Sequence, residues 1–181
     1  MIKALPLVLA VLITAILPIS VHAEGSNPQA PKTVIAGAPE ALKGVPGFML
    51  HIVEQTEDGK KLGLTKEDTQ AKVELSMRRN NVPVLDLETW QKTPGRPVLT
   101  VYLWVFKGAV SLNIECRENV TLVRDPSVLS LGSTTYVTRG LGANYTKSDD
   151  IYKMLEKYVD KFCLEWLRQN PKITPSESPA P

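Results

Sequence analysis

Nucleophilic and metal-assisted chemistry needs a few side-chain types at set spacings, and this chain carries few of them. It has two histidines and two cysteines. His22 closes an apolar amino-terminal segment, so His51 is the imidazole left in the body of the chain. A catalytic base needs a nucleophile beside it and a third group to orient it. No serine elbow, glycine-rich phosphate loop or His-Cys metal spacing accompanies His51. It reads as a surface side chain on a strand, and without further ligands it makes no zinc site. The carboxylate pairs Glu67-Asp68 and Asp149-Asp150 stand at expected helix starts, where the helix dipole accounts for them. Arg78-Arg79 sits near an expected helix end, which the same dipole favours. The expectation is therefore a non-enzyme with no catalytic residue, no metal ligand and no cofactor.

Cys116 and Cys163 are the remaining reactive groups. Cys116 falls on the aliphatic side of a strand, and Cys163 follows Phe162 at the flank of the buried arc of the last helix. Both point into one layer, so in an oxidising compartment a disulfide between them could tie sheet to helix. Closing that loop would stabilise by about 4 kcal/mol in the chain-entropy picture. The alternative is two buried thiols whose Cα atoms stand too far apart.

The elements around these residues follow from periodicity. Phe48 to Glu54 alternates, with Phe48, Leu50 and Ile52 on one side and Met49, His51 and Val53 on the other, which predicts a strand. Glu57-Asp58-Gly59-Lys60 is a turn cluster. Thr65 with Asp68 three residues on predicts a capped helix from Lys66, with Thr69, Val73 and Met77 as its stripe and Ala71 and Leu75 beside it. Asn80-Asn81 and Pro83 end that helix, and Val82–Leu87 reads as a short strand.

"VYLWVFKGAVSLNIEC", Val101 to Cys116, reads as a hairpin turning at Lys107-Gly108. Phe106 then faces Ala109, Leu103 faces Leu112, Val101 faces Ile114 and Leu99 faces Cys116. A one-residue slip would mix apolar and polar sets, so the pattern selects the register. The second strand runs on through Val120 and Leu122 to Val123, and Arg124-Asp125-Pro126 stops it. "STTYVTRG" predicts another strand near an edge. From Ser148 to about Gln169 a helix buries Ile151, Met154, Leu155, Tyr158, Val159, Phe162 and Trp166, and Asn170-Pro171 ends it.

The sum is α+β, a two-layer sandwich: one mostly antiparallel sheet of about five strands in the order β-α-β-β-β-β-α, with two helices on one face. Both helices belong on the aliphatic side of the sheet. Tyr102, Trp104 and Phe106 then lie on the side without a cover, and aromatic residues with adaptable polar neighbours are what binding hot spots concentrate. These three are the candidate partner-binding residues. Cross-strand pairing on a wet face, or a leader folded back over it, would place aromatics there equally.

At the amino terminus, Met1-Ile2-Lys3, an apolar run from Ala4 to Val21 and Val21-His22-Ala23 before Glu24 have the layout of a cleaved signal peptide over 1–23. The chain is thus expected in the periplasm or secreted, meeting a membrane only transiently through that segment. Residues 24–44, rich in Pro, Ala and Gly, are expected to be a disordered leader, 45–170 a single domain and 171–181 a disordered Pro/Ser-rich tail. The whole chain carries a net charge of +2, and loss of Lys3 leaves 20 basic against 19 acidic residues. Near-neutrality leaves no electrostatic footprint for nucleic acid. Asn119-Val120-Thr121 and Asn144-Tyr145-Thr146 match the N-glycosylation acceptor, a pattern short enough to arise by chance.

"GLTKEDTQAKVELSMRRNNVPVLD", with "PGRPVLTVYLWV" after it and the closing "LRQNP", resembles a group of short exported bacterial proteins of no established role. The helix running into "VPVLD" is similar to small α/β modules of the cell envelope, such as the amino-terminal domain of the Tol-system propeller protein and outer-membrane accessory lipoproteins. Those modules bind other proteins, so the resemblance implies a binding role, though this chain lacks the cysteine that lipoproteins acylate. The expectation is an exported protein-interaction module that meets a protein partner or a second copy of itself through the sheet face. A small-ligand carrier, or a hydrolase using carboxylates that no motif marks, is the alternative.

Overall fold

The computed structural model describes residues 38–171. The expected signal segment, most of the expected leader and all of the tail after Pro171 lie outside the described residues. A 3-10 turn at Pro39–Leu42 is followed by β1 (Met49–Ile52), α1 (Glu57–Lys61), α2 (Lys66–Arg79), α3 (Leu87–Lys92), β2 (Val98–Phe106), β3 (Ala109–Leu122), β4 (Asp125–Gly142) and α4 (Ser148–Gln169). The sheet order is β1-β2-β3-β4, with β1 parallel to β2 and the other pairs antiparallel. The fold is α+β, with α2 and α4 packed together on one face of a mostly antiparallel sheet.

The sheet has four strands rather than five. Val82–Leu87, expected as a strand, contributes one parallel bridge between Val84 and Phe48. It stops there because the Asp86 carboxylate accepts the Thr89 N–H at 2.7 Å and caps α3, which takes over at Leu87. The expected turn at Glu57–Lys60 is the single helical turn α1, capped by Thr56, whose hydroxyl accepts the Gly59 N–H at 3.2 Å. Thr65 caps α2 as expected, accepting the Asp68 N–H at 3.0 Å, and Asn81 turns the chain at φ 56° after it.

The β2–β3 hairpin has the register that the alternation selects, from Phe106 opposite Ala109 to Leu99 opposite Cys116. Lys107 and Gly108 both hold left-handed φ, 48° and 78°, the geometry of a type I′ turn. A side chain there costs about 1 kcal/mol. Asp58 offsets part of that cost, because its Oδ2 accepts the Lys107 N–H at 3.0 Å. The same hydrogen bond holds the Asp58 carboxyl below the usual carboxylate range.

One apolar layer lies between sheet and helices. Leu99, Val101, Leu103, Leu112 and Ile114 from the sheet meet Val73 and Met77 of α2 and Ile151, Leu155, Val159, Phe162 and Trp166 of α4. At Gly140 of β4 the Tyr158 ring comes so close that a Cβ would stand 2.7 Å from it.

The ordered domain begins before the expected boundary at 45. Leu42 and Val45 are core residues, and the end of α4 grips the segment that carries them. Asn170 accepts the Gly44 N–H at 2.7 Å and donates to the carbonyls of Leu42 and Trp166, each at 2.9 Å. Trp166 Nε1 donates to the Val45 carbonyl at 2.9 Å. Two apolar side chains and three hydrogen bonds to the end of α4 are enough to offset ordering a few residues that composition alone marks as leader.

The β3–β4 pair outruns the rest of the sheet. Val98, the first residue of β2, lies opposite Arg117, so β3 beyond that point pairs with β4 alone. Residues 118–133 form a two-stranded arm, its ladder broken by register shifts and its tip at Val123-Arg124. "STTYVTRG" is a strand at the sheet edge, as expected; β3 ends at Leu122, just before the expected stop, and β4 begins within that stop, at Asp125.

Candidate functional site

Alternation along β2 sends Leu103 and Val105 into the core, and Tyr102, Trp104 and Phe106 to the opposite face. Neither α2 nor α4 packs there, and of the described helices the single turn α1 reaches its edge, beside Trp104 and Phe106. Across the sheet Phe106 meets Ala109, Trp104 meets Ser111 and then Leu141, and Tyr102 meets Asn113 and then Arg139. Exposure grows toward the hairpin. Thr100 is buried, Tyr102 half-buried, Trp104 43% exposed and Phe106 68% exposed, and Leu141 beside them is 82% exposed. Tyr102 and Trp104 meet edge to face, with centroids 5.4 Å apart, and the Lys107 ammonium lies 5.2 Å from the Phe106 ring centre. Such aromatic pairs fix ring geometry before any partner arrives.

A cavity of about 340 Å³ adjoins the patch, lined by Trp104, Val105 and Phe106 on one side and Thr56, Glu57 and Asp58 on the other. There Thr56 takes the place of a neighbouring strand. Its hydroxyl donates to the Val105 carbonyl at 2.7 Å and lies 3.2 Å from the Val105 N–H.

Each ion pair among the described residues includes a helix residue, as in Lys72–Glu156 and Arg79–Asp160. Lys107, Arg117 and Arg139, on or beside the open face, take part in none of them. Glu115 is the carboxylate at the middle of the face, and it accepts the Thr134 hydroxyl at 3.3 Å. His51, opposite Thr100 on the same face, is exposed. The patch is thus an aromatic centre with charges of both signs around it, Lys107, Arg117 and Arg139 together with Glu57, Asp58 and Glu115.

A second concavity, of about 390 Å³, lies between the 3-10 turn and the base of the arm, lined by Glu40, Ala41 and Lys43 and by Glu118, Val120 and Ser133 to Thr135. Glu118 accepts the Thr135 hydroxyl at 2.9 Å and faces the Cys116 thiol at 3.9 Å. Burial pushes its carboxyl above the usual range. Sequence reasoning missed this group, although a signal was present: Leu112, Ile114 and Cys116 alternate inward, and Glu118 is the next residue of that series.

Cys116 and Cys163 are both buried free thiols. Their neighbours differ: Cys116 meets Glu118 and Thr135, while Cys163 stands near Asp160 and Arg79 on the α2 side of α4. Burial pushes each thiol up to about 12. The acceptor residues Asn119 and Asn144 are placed differently, the first holding the Gly132 N–H at 3.0 Å and the second exposed at φ 64°. Among the described residues no three His, Cys, Asp or Glu side chains converge to hold a metal ion, and no helix is long and apolar enough to cross a membrane.

No family model, no curated protein and no solved structure matches the chain.

Proposed function

We propose that this chain is a non-enzymatic, exported protein-interaction module of the periplasm, and that Tyr102, Trp104 and Phe106 on the open sheet face receive its partner, a second copy or another protein. One observation carries the proposal: the exposed aromatic residues Trp104 and Phe106 sit beside Leu141 on the sheet face opposite α2 and α4, with the single turn α1 at its edge. Aromatic anchors with polar neighbours such as Ser111 and Asn113 suit a binding centre. The signal-peptide layout supports export, and the resemblance to envelope modules supports a binding role by analogy.

A second reading has its own observation. Glu40 and Glu118 line one concavity, and a carboxyl raised by burial beside a second carboxyl is an arrangement that hydrolases use. A small-ligand carrier would use the same space.

Light scattering separates these readings when the chain beginning at Glu24 is compared with Trp104→Ser and Glu118→Gln. A dimer that Trp104→Ser alone converts to a folded monomer places self-association on the open face. Monomers throughout turn the search to an envelope partner, with binding to wild type and none to Trp104→Ser as the required result. A partner or ligand lost only on Glu118→Gln refutes the open-face reading.

A further inference from the structure

The three aromatic residues of the open face belong to one strand. Tyr102, Trp104 and Phe106 form a column on β2, and the residues paired with them on β3 are smaller: Asn113, Ser111 and Ala109. The face is therefore a ridge beside a trough. At the level of Trp104 the row continues on both sides. Leu141 of β4, 82% exposed, lies beyond Ser111. On the other side Thr56 flanks Val105, and the cavity of about 340 Å³ lies between α1 and the rings of Trp104 and Phe106. Across the sheet the row thus runs from a hollow to a large side chain, then a small one, then a projecting one.

Such a row is complementary to itself when turned about a two-fold axis that runs along the strands between β2 and β3. The turn exchanges β2 with β3 and the α1 side with the β4 side. Each Trp104 then lies over Ser111 of the second copy, each Tyr102 over Asn113 and each Phe106 over Ala109, and each Leu141 comes over the cavity beside α1. Face-packed sheets stand about 10 Å apart, with their strands within about 30° of each other. Large over small fills that gap. A two-fold axis across the strands would instead set aromatic column on aromatic column and small on small, forcing the sheets apart at one and leaving a void at the other. Charge follows the same symmetry. Arg139, exposed and next to Leu141 on this face of β4, moves toward Glu57 and Asp58 of the second copy, which line the cavity. An isologous interface needs both signs on one surface, and this face has them.

We propose that this chain forms a two-fold dimer through the open face, with β2 of each copy packed over β3 of the other and Leu141 seated in the cavity beside α1. The proposal rests on the open-face reading and makes the partner a second copy. Sedimentation equilibrium on the chain beginning at Glu24 tests it against two variants. Ser111→Trp fills the trough and leaves the aromatic residues in place, and Leu141→Asp puts a charge into the cavity. Each should weaken the dimer by at least about tenfold. Arg139→Glu and Glu57→Arg should each weaken it by about threefold, and the chain carrying both should recover the wild-type constant, a rescue that misfolding cannot imitate. A dimer lost on Trp104→Ser but indifferent to Ser111→Trp and Leu141→Asp overturns this symmetry while the open-face reading stands. A dimer indifferent to all three overturns both. A wild-type chain that stays monomeric at every concentration overturns the dimer and leaves the face to another protein.

Discussion

A carboxylate at an inward strand position is stable only if its proton is retained or its charge is answered, and Glu118 has hydroxyl and thiol neighbours but no cation within an ion pair. Its folded value lies above the ordinary 4.5, so between those two values the folded chain binds more protons than the unfolded one. The stability this group contributes is therefore complete below the ordinary value and is lost as pH rises through the folded one. Glu118→Gln, which keeps an acceptor for Thr135, should be more stable than wild type at pH 7 in urea unfolding. The difference should shrink as the pH approaches 4.5. A variant less stable than wild type at pH 7 would mean that the carboxylate is ionised and answered by a charge. The thiols give a second expectation at this scale. With both pushed up to about 12 by burial, the thiolate that reacts with a disulfide reagent is scarce in the folded chain. Titration should find both thiols after denaturation and almost none before it. A single intermolecular or intramolecular bond found by mass spectrometry would contradict this.

Two joints between elements carry the next expectations. In the β2–β3 turn, Lys107 holds a left-handed conformation that asparagine adopts more readily, and Asn-Gly is the preferred pair for that turn. Lys107→Asn should raise stability by about 0.5–1 kcal/mol, read from the midpoint of chemical denaturation, since the N–H given to Asp58 is unchanged. At the other joint, Asn170→Ala leaves the Gly44 N–H and the Leu42 carbonyl without their partner and should cost about 1–3 kcal/mol. The contrast between these joints also explains what the sequence makes legible. The hairpin register, the Thr65 cap and the buried arc of α4 rest on local alternation, local hydrogen bonds or helical spacing, and all three could be read directly. The Asn170 latch joins residues 126 and 128 positions apart, so no window of sequence contains it, and the domain boundary at 45 came out too late. Val82–Leu87 has strand composition, but one capping bond from Asp86 outweighs a propensity worth little per residue. The open face was legible as a pattern, whereas the Glu118 cavity depends on the 3-10 turn and the arm meeting in space.

At the scale of the whole molecule, the two faces of one strand have different roles, and adjacent residues of β2 can separate them. Leu103 is buried in the single core between sheet and helices, while Trp104, the next residue, stands on the open face with its main described aromatic contact to Tyr102. Leu103→Ala removes packed methyl groups and leaves a cavity that the helices cannot fully close, a loss of about 2–5 kcal/mol. Trp104→Ser removes one edge-to-face contact and some area that water already touches, a loss of about 1 kcal/mol. Unfolding of the two variants should therefore differ by at least about 1 kcal/mol, with similar denaturant slopes because the surface exposed on unfolding is nearly the same. Association should respond in the opposite order, falling on Trp104→Ser while a Leu103→Ala chain that remains folded keeps its partner. Equal destabilisation by the two substitutions would mean that Trp104 is covered in solution, by another part of the chain or by a second copy, and measurement at two protein concentrations tells these apart, because only a second copy makes the midpoint depend on concentration.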